Sequence, residues 1–385
     1  MKLETAFNRR REEFPTLASG IHLLSHSLGP MPRAARDSMM AYSEAWEHHT
    51  GEDAWAASWW ELSQTVGDRI AHLLGGAAGS VQIQPNTSIA LSSVVSCFEF
   101  AKAKRNKIVT SALDFPSMGY IWDAQRRLGA QVEIVASDDN VVVPIERMLA
   151  AIDETTLLVA ISHVSFRSSF RVEVEPIVEC AHRMGALVLL DVYQSAGTVP
   201  LAAEHWGVDF MIGGTIKWLC GGPACGYLYV RPDLQRELKP RLTGWVAHAE
   251  PFDFAPAPMN YDNSVRRFAQ GTPSIPALYS ALPGLQIVAE VGVDRIARES
   301  RRRTQRMVDF AFEQGWTVNS PADVDRRGGS VMIGVTDGAA MVRDLAGRKV
   351  FVDSRPGAGL RISPHFFNND DEVEEALSVL QNLIN

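Results

Sequence analysis

The sequence predicts an α/β protein built on a mainly parallel seven-stranded sheet, followed by a smaller α+β C-terminal domain. Three observations predict it. Short runs rich in β-branched and apolar residues alternate with helical patterns through the first two thirds of the chain, and such alternation needs crossover helices on both faces of a sheet. Past about residue 270 the alternation gives way to long helical spacing and then to short strands. At 385 residues the chain exceeds the size at which one hydrophobic core usually stops growing.

Taken in order, the strand runs are VQIQ (81–84), KIVTS (107–111), QVEIVA (131–136), TLLVAISHV (156–164), ALVLLD (186–191), DFMIGG (209–214) and GYLYV (226–230). Most are apolar almost throughout, the pattern of strands covered on both faces. Helical spacing runs from Ile275 through Gln314; then come VMIGV, KVFVD and LRISP, and a closing helix after Asp370. The Pro-rich segment PFDFAPAPMNY (251–261) reads as an irregular connection. The expected division is a helical segment over 1–20 packing with the small domain, a large domain over 21–260, and a small domain with its linking helix over 261–385.

Composition narrows the function. The formal charge is -8, and the one dense basic run, Arg301 to Arg303, falls on a helical pattern and reads as a solvated face. No nucleic-acid partner is expected. The four cysteines, Cys97, Cys180, Cys220 and Cys225, have neither disulfide-framework nor zinc spacing, so reduced thiols and no metal are expected. The N-terminus lacks an apolar leader and no stretch is apolar for long enough to span a bilayer, from which cytoplasmic residence and no membrane partner are expected.

Ligands of open parallel sheets bind outside the carboxyl ends of the strands. Asp191 ends one strand and Lys217 follows the next. Each alone reads as a helix cap or a solvated lysine. Together they frame one site, because Lys217 lies in GGTIKWLCGGP, where glycines allow close backbone approach and Trp218 and Leu219 would bury its stem. A desolvated lysine has a lowered pKa and becomes a Schiff-base nucleophile. Thr87 and Ser88 lie where a strand passes into a helix, and their N–H groups and hydroxyls could hold a phosphate there.

The segment from Asp191 to Lys217 resembles the core of the class V aminotransferase family, which are fold type I enzymes dependent on pyridoxal 5'-phosphate. Within that family the chain is most similar to kynureninases and their relatives. The likeness extends through LLSHSLGPMP (23–32), WWELSQTVGDRIAHLLG, PNTS (85–88), DFPS (114–117), TGWVAH (243–248), GTPSI (271–275) and RPGAGLRISPHFFNNDDEV.

The resemblance implies that Lys217 carries the cofactor as a Schiff base and that Asp191 keeps its ring nitrogen protonated. It implies that Thr87, Ser88 and Thr215 reach the phosphate, that Phe115 stacks on the ring, and that Gln194 bonds the phenolic oxygen. Trp245 and Thr272 match residues that reach a neighbouring subunit's phosphate, which implies a homodimer with shared active sites. Arg361 matches the arginine that clamps the substrate α-carboxylate. Ser27 and His49 are expected on the substrate side, with His26 and His248 as weaker candidates. The implied reaction is hydrolysis of L-kynurenine, or its 3-hydroxy derivative, to the anthranilate and L-alanine, in tryptophan catabolism. An aminotransferase, a desulfurase-like C–S lyase or an epimerase would use the same lysine and aspartate, and an inactive cofactor-binding protein stands as the alternative outside enzymology. Three departures bear on the substrate: Gln194 stands where kynureninases have His, Ile216 precedes the lysine in place of Tyr, and Met118 follows Phe-Pro-Ser in place of Asp.

Overall fold

A computed structural model describes residues 10–101 and 104–384. The chain enters through a 3-10 turn at Pro15–Ser19 and a two-residue strand, β1 (Ile21–His22), then helix α1 (Arg33–His48). A π-helical turn, Trp55–Trp59, leads into α2 (Trp60–Leu74). The large sheet is then laid down: β2 (Val81–Gln84), α3 (Thr87–Val95), β3 (Lys107–Ser111), α4 (Pro116–Arg126), β4 (Gln131–Val135), α5 (Ile145–Ala150), β5 (Thr156–Ser162), α6 (Val174–Arg183), β6 (Leu187–Asp191), α7 (Ala203–Trp206), β7 (Phe210–Gly214) and β8 (Gly226–Val230).

The strand order is β2-β8-β7-β6-β5-β3-β4. The run from β7 to β4 is parallel, while β8 lies antiparallel to both of its neighbours. The apolar runs are explained by two-sided cover. Successive side chains of a strand point to opposite faces, so Val188 and Leu190 of β6 join one core with Ile70, Ile177 and Leu278, whereas Leu189 joins a second core with Leu91, Trp122 and Phe268. Edge strand β4 alone among them is largely exposed. The expected strands match these seven to within two residues at either end.

The C-terminal part differs from its sequence reading first in its helices. The helical stretch from Ile275 is two helices, α8 (Ile275–Val291) and α9 (Val293–Glu313), broken at Gly292, whose φ of +86° favours glycine. Helix α8 is apolar nearly all round because it packs inside the large-domain core, against α1 and α2. The small sheet follows: β9 (Val331–Ile333), α10 (Gly338–Gly347), β10 (Val350–Phe351), β11 (Asp353–Arg355), β12 (Gly359–Ile362) and α11 (Asp370–Ile384). Its order is β11-β12-β9, antiparallel, while β10 pairs in parallel with β1. Ile21 and Leu23 are thereby buried in the small-domain core with Met307, Ile333 and Leu377. The chain therefore touches the small domain before it builds the large one.

Of the basic run on α9, Arg303 departs from the expected solvated face. It is buried and ion-paired to Glu299 and Asp370, with Arg302 and Arg301 more exposed and paired to Asp370 and Asp325. Among the described residues no helix is long and apolar enough to cross a membrane.

Candidate active site

A cavity of about 290 Å³ opens at the carboxyl ends of the parallel strands. Asn86, Thr87 and Ser88, Phe115 and Met118, Ser162, Asp191, Tyr193, Gln194 and Lys217 all line it. Each ends a strand or comes soon after one: β2 delivers the first group, β3 the second, β5 and β6 the next, and β7 the lysine.

Lys217 is half-buried, and desolvation lowers its pKa to about 8; Asp191 pulls the value up, while Arg361 and Arg355 push it further down. Its ammonium lies 4.1 Å from the ring centroid of Tyr193 and 5.8 Å from that of Phe115. Tyr193 packs against the backbone of β7 at Gly214, where a Cβ would fall 2.5 Å from the Tyr193 hydroxyl. The lysine loop itself is held in an unusual path, with Cys220 at φ 51° and Ala224 at φ 64°. Such conformations cost on the order of 1–3 kcal/mol each and persist where surrounding structure imposes them.

Asp191 is buried at the end of β6. One carboxylate oxygen accepts the Tyr193 N–H at 2.9 Å, and its carbonyl accepts the His163 N–H at 2.9 Å. Burial raises its pKa to about 6, opposed by the Tyr193 amide and by the charge of Lys217. A buried carboxylate with one hydrogen bond is short of cationic partners, and a protonated ring nitrogen would supply one.

Asn86 caps α3, its side chain accepting the Ile89 N–H at 3.0 Å. That leaves the Thr87 and Ser88 amides as first-turn donors pointing out of the helix, the arrangement that binds anions. The Thr87 hydroxyl is 3.3 Å from the Gly213 carbonyl. Phe115 is the N-cap of α4 and meets Phe166 edge to face at 5.1 Å. Gln194 donates to the His26 carbonyl at 3.0 Å and accepts from the Trp218 indole at 3.2 Å, so its amide is oriented and keeps one N–H uncommitted.

Other expected site residues stand elsewhere. The Thr215 hydroxyl does not line the cavity; it braces the lysine loop against the carbonyls of Gly222 and Cys225, at 3.1 and 3.3 Å, because the loop must be closed over Gly221. Thr272 lines a separate cleft of about 450 Å³ with Trp60, Gln84 and Phe252. Trp245 stands beside that cleft in contact with Trp60, Phe252 and Phe254. His49 is exposed at the C-cap of α1, Ser27 sits in a turn whose amide bonds the Leu24 carbonyl, and the His248 ring bonds Glu250; none lines the cavity. Arg361 is not a free clamp: it is buried and bidentate to Asp353, at 2.8 and 2.6 Å, with a third bond to the Phe166 carbonyl at 3.1 Å.

The sequence profile of the family Aminotransferase class-V matches residues 21–369. The chain belongs to the class V aminotransferase family. An uncharacterised aminotransferase of Bacillus subtilis, YcbU, is 30% identical over 95% of both chains. The kynureninase of Pseudomonas fluorescens is 28% identical over 97% of this chain and 91% of its own. Among solved structures, the apo form of a cysteine desulfurase from Thermococcus onnurineus NA1 superposes with a TM-score of 0.87 at 22% identity, covering 98% of this chain and 97% of that one. At such identity this likeness speaks for the fold.

As a class V enzyme, the protein uses pyridoxal 5'-phosphate, and the site fits that group on three counts. A desolvated amine of lowered pKa stands ready for its aldehyde, a buried carboxylate has no ion pair among the described residues, and a helix N-terminus offers its first-turn amides for a phosphate. Tyr193 and Asn86 were missed as site residues. The sequence signal for Asn86 was its place before the helix, where Asn is a favoured cap; Tyr193 carried none, since only the parallel pairing of β6 with β7 puts its ring beneath the lysine.

Proposed function

We propose that this class V enzyme hydrolyses the Cβ–Cγ bond of L-kynurenine, or of its 3-hydroxy derivative, with water yielding the anthranilate and L-alanine. The supporting observation is the similarity to a kynureninase along 97% of the chain, over which the cavity-lining residues are spread. Bound pyridoxal phosphate supplies the electron sink. Lys217 holds the cofactor and, once released, moves the proton at the substrate α-carbon; its pKa of about 8 suits that task near neutral pH. Asp191 stabilises the protonated ring nitrogen, Gln194 offers its uncommitted N–H to the phenolic oxygen, and the amides of Thr87 and Ser88 take the phosphate. Arg361 takes the substrate carboxylate through the donors Asp353 leaves it.

Desulfuration is disfavoured by the thiols. Among the described residues none of the four cysteines lines the cavity, and burial pushes the Cys225 thiol up to about 12 and Cys220 higher still. A homodimer belongs to the same proposal: Trp245 and Thr272 lie outside their own chain's cavity, as residues serving a neighbouring site would. The test is incubation of purified holoenzyme with L-kynurenine and with 3-hydroxykynurenine, following anthranilate fluorescence, beside parallel incubations with L-cysteine and with amino donor and 2-oxo acid pairs. Anthranilate release supports the reading. Sulfide release or transamination without any anthranilate would replace it.

A further inference from the structure

The small domain carries a largely buried ionic network of which the reaction outlined above uses Arg361 alone. Strands β11 and β12 pair antiparallel with Asp353 directly opposite Arg361. Across that pair the carboxylate takes the Nε–Nη2 edge of the guanidinium, and Arg355 reaches the same carboxylate at 3.1 Å. On its other side Asp353 meets His26 Nε2 at 2.8 Å, while His26 Nδ1 lies 2.6 Å from the Ser363 hydroxyl.

The protons of this chain can be assigned. Burial lowers the His26 pKa to about 4, with Asp353 opposing and Arg361 adding to the fall, so the imidazole is neutral and carries one N–H. The Asp353 carboxylate, which burial alone would raise, is held well below the usual carboxylate range by His26 and Arg361, so it is ionised and can only accept. The single imidazole proton therefore sits on Nε2, and Ser363 donates to Nδ1. The Leu23 carbonyl, also near the Ser363 hydroxyl, has the Ser363 N–H at 2.9 Å. The backbone of His26 in turn accepts from Gln194, beside Lys217. One connected path thus runs from the cofactor cavity to Arg361.

Arg361 has five N–H donors. Nε and Nη2 spend one each on Asp353 and Nη1 spends one on the Phe166 carbonyl, which leaves two, one on each terminal nitrogen. The charge of this arginine is already matched by Asp353. An incoming carboxylate is then recognised by where these two donors point more than by net attraction.

We infer that Asp353, braced by His26, is a positioning residue that fixes the end of the Arg361 guanidinium presented to the substrate α-carboxylate. This rests on the proposed role of Arg361 in holding that carboxylate. Removing Asp353 frees the stem of Arg361 to turn and leaves the Phe166 carbonyl as its remaining anchor.

The experiment uses holoenzyme and two probes of nearly equal shape, L-alanine and L-alaninamide, which lacks the carboxylate charge and its second acceptor oxygen. Dissociation constants are read from the visible absorbance of the bound cofactor and, independently, by calorimetry. Asp353→Ala is expected to weaken L-alanine by at least about 10-fold, or ~1.4 kcal/mol, while L-alaninamide moves by less than about twofold. Should Asp353→Ala not fold, the isosteric Asp353→Asn carries the same expectation. Equal weakening of both probes would mean general distortion of the site, and unchanged or tighter L-alanine binding would mean that Asp353 merely dampens the charge; either overturns the inference. Failure of the premise is visible in wild type alone: L-alanine binding no better than L-alaninamide would remove Arg361 from carboxylate recognition before any variant is made, and would overturn the positioning role with it.

Discussion

The proposed role of Lys217 in the cofactor chemistry rests on surroundings that desolvate its ammonium and, among the described residues, give it no hydrogen-bonded counter-ion. Asp191 acts on it through space; its near neighbours are the faces of Tyr193 and Phe115. With a pKa of about 8 the lysine is protonated in the majority at pH 7, and only its neutral form attacks an aldehyde. The sign follows directly: capture of pyridoxal phosphate by cofactor-stripped enzyme should quicken roughly 10-fold per pH unit below 8 and level off above it. An unperturbed lysine would keep accelerating past pH 10. Stopped-flow absorbance on apoenzyme, with Lys217→Ala as the silent control, distinguishes the two. The lysine and the aspartate were legible because strand-end position and glycine context are sequence properties. The ion pair of Asp353 with Arg361 was not, since it depends on the register of a hairpin whose two strands are three and four residues long.

At the scale of elements, the proposed phosphate end of the site is the junction of β2 and α3. Asn86 ties off the Ile89 amide, and the backbone around it is pressed against β8: a Cβ at Gly226 would come within 2.8 Å of the Asn86 Cα. Asn86→Ala should therefore lower stability by about 1 kcal/mol, the usual worth of an N-cap, and weaken cofactor affinity as the first turn loosens. Thermal unfolding of apoenzyme measures the first effect and cofactor titration the second. A loss of stability with affinity untouched would mean that the amides of Thr87 and Ser88 are not the phosphate site. Strand boundaries were readable because two-sided burial leaves little choice of residue in β5 to β8. The break at Gly292 was obscured because apolar spacing continues through it on both sides and because α9 starts in the same core as α8, through Ile296, before Met307, Val308 and Ala311 enter the small-domain core.

For the whole molecule, the proposal of shared sites makes a prediction that no single chain can satisfy. Lys217→Ala inactivates its own cavity, whereas Trp245→Ala, if the indole serves a neighbour, impairs the partner's. Mixing the two inactive variants under conditions that exchange subunits should restore one sound site per mixed dimer, close to a quarter of wild-type activity from a statistical mixture, by roughly the arithmetic of two-fold symmetry. Absence of any recovery, with mixed dimers verified by mass, would place Trp245 in its own chain's chemistry or outside it. The exposed rings of Trp245, Phe252 and Phe254, gathered around the cleft that holds Thr272, are consistent with a face that a partner covers.

The sequence alone determined the fold class, the seven large-sheet strands and the lysine and aspartate at their ends. Each of these follows from local periodicity and from the rule that parallel strands deliver ligand-binding residues at one edge. Tertiary structure alone decided that Thr215 braces a loop, that Arg361 is paired with Asp353, and that Tyr193 lies under the lysine. Those outcomes depend on how separate segments fold against one another: β12 on β11 and on the segment around His26, the lysine loop on the end of β7, or β7 on the turn after β6. Local pattern fixes which way a side chain leaves its own strand; only packing fixes what it meets there.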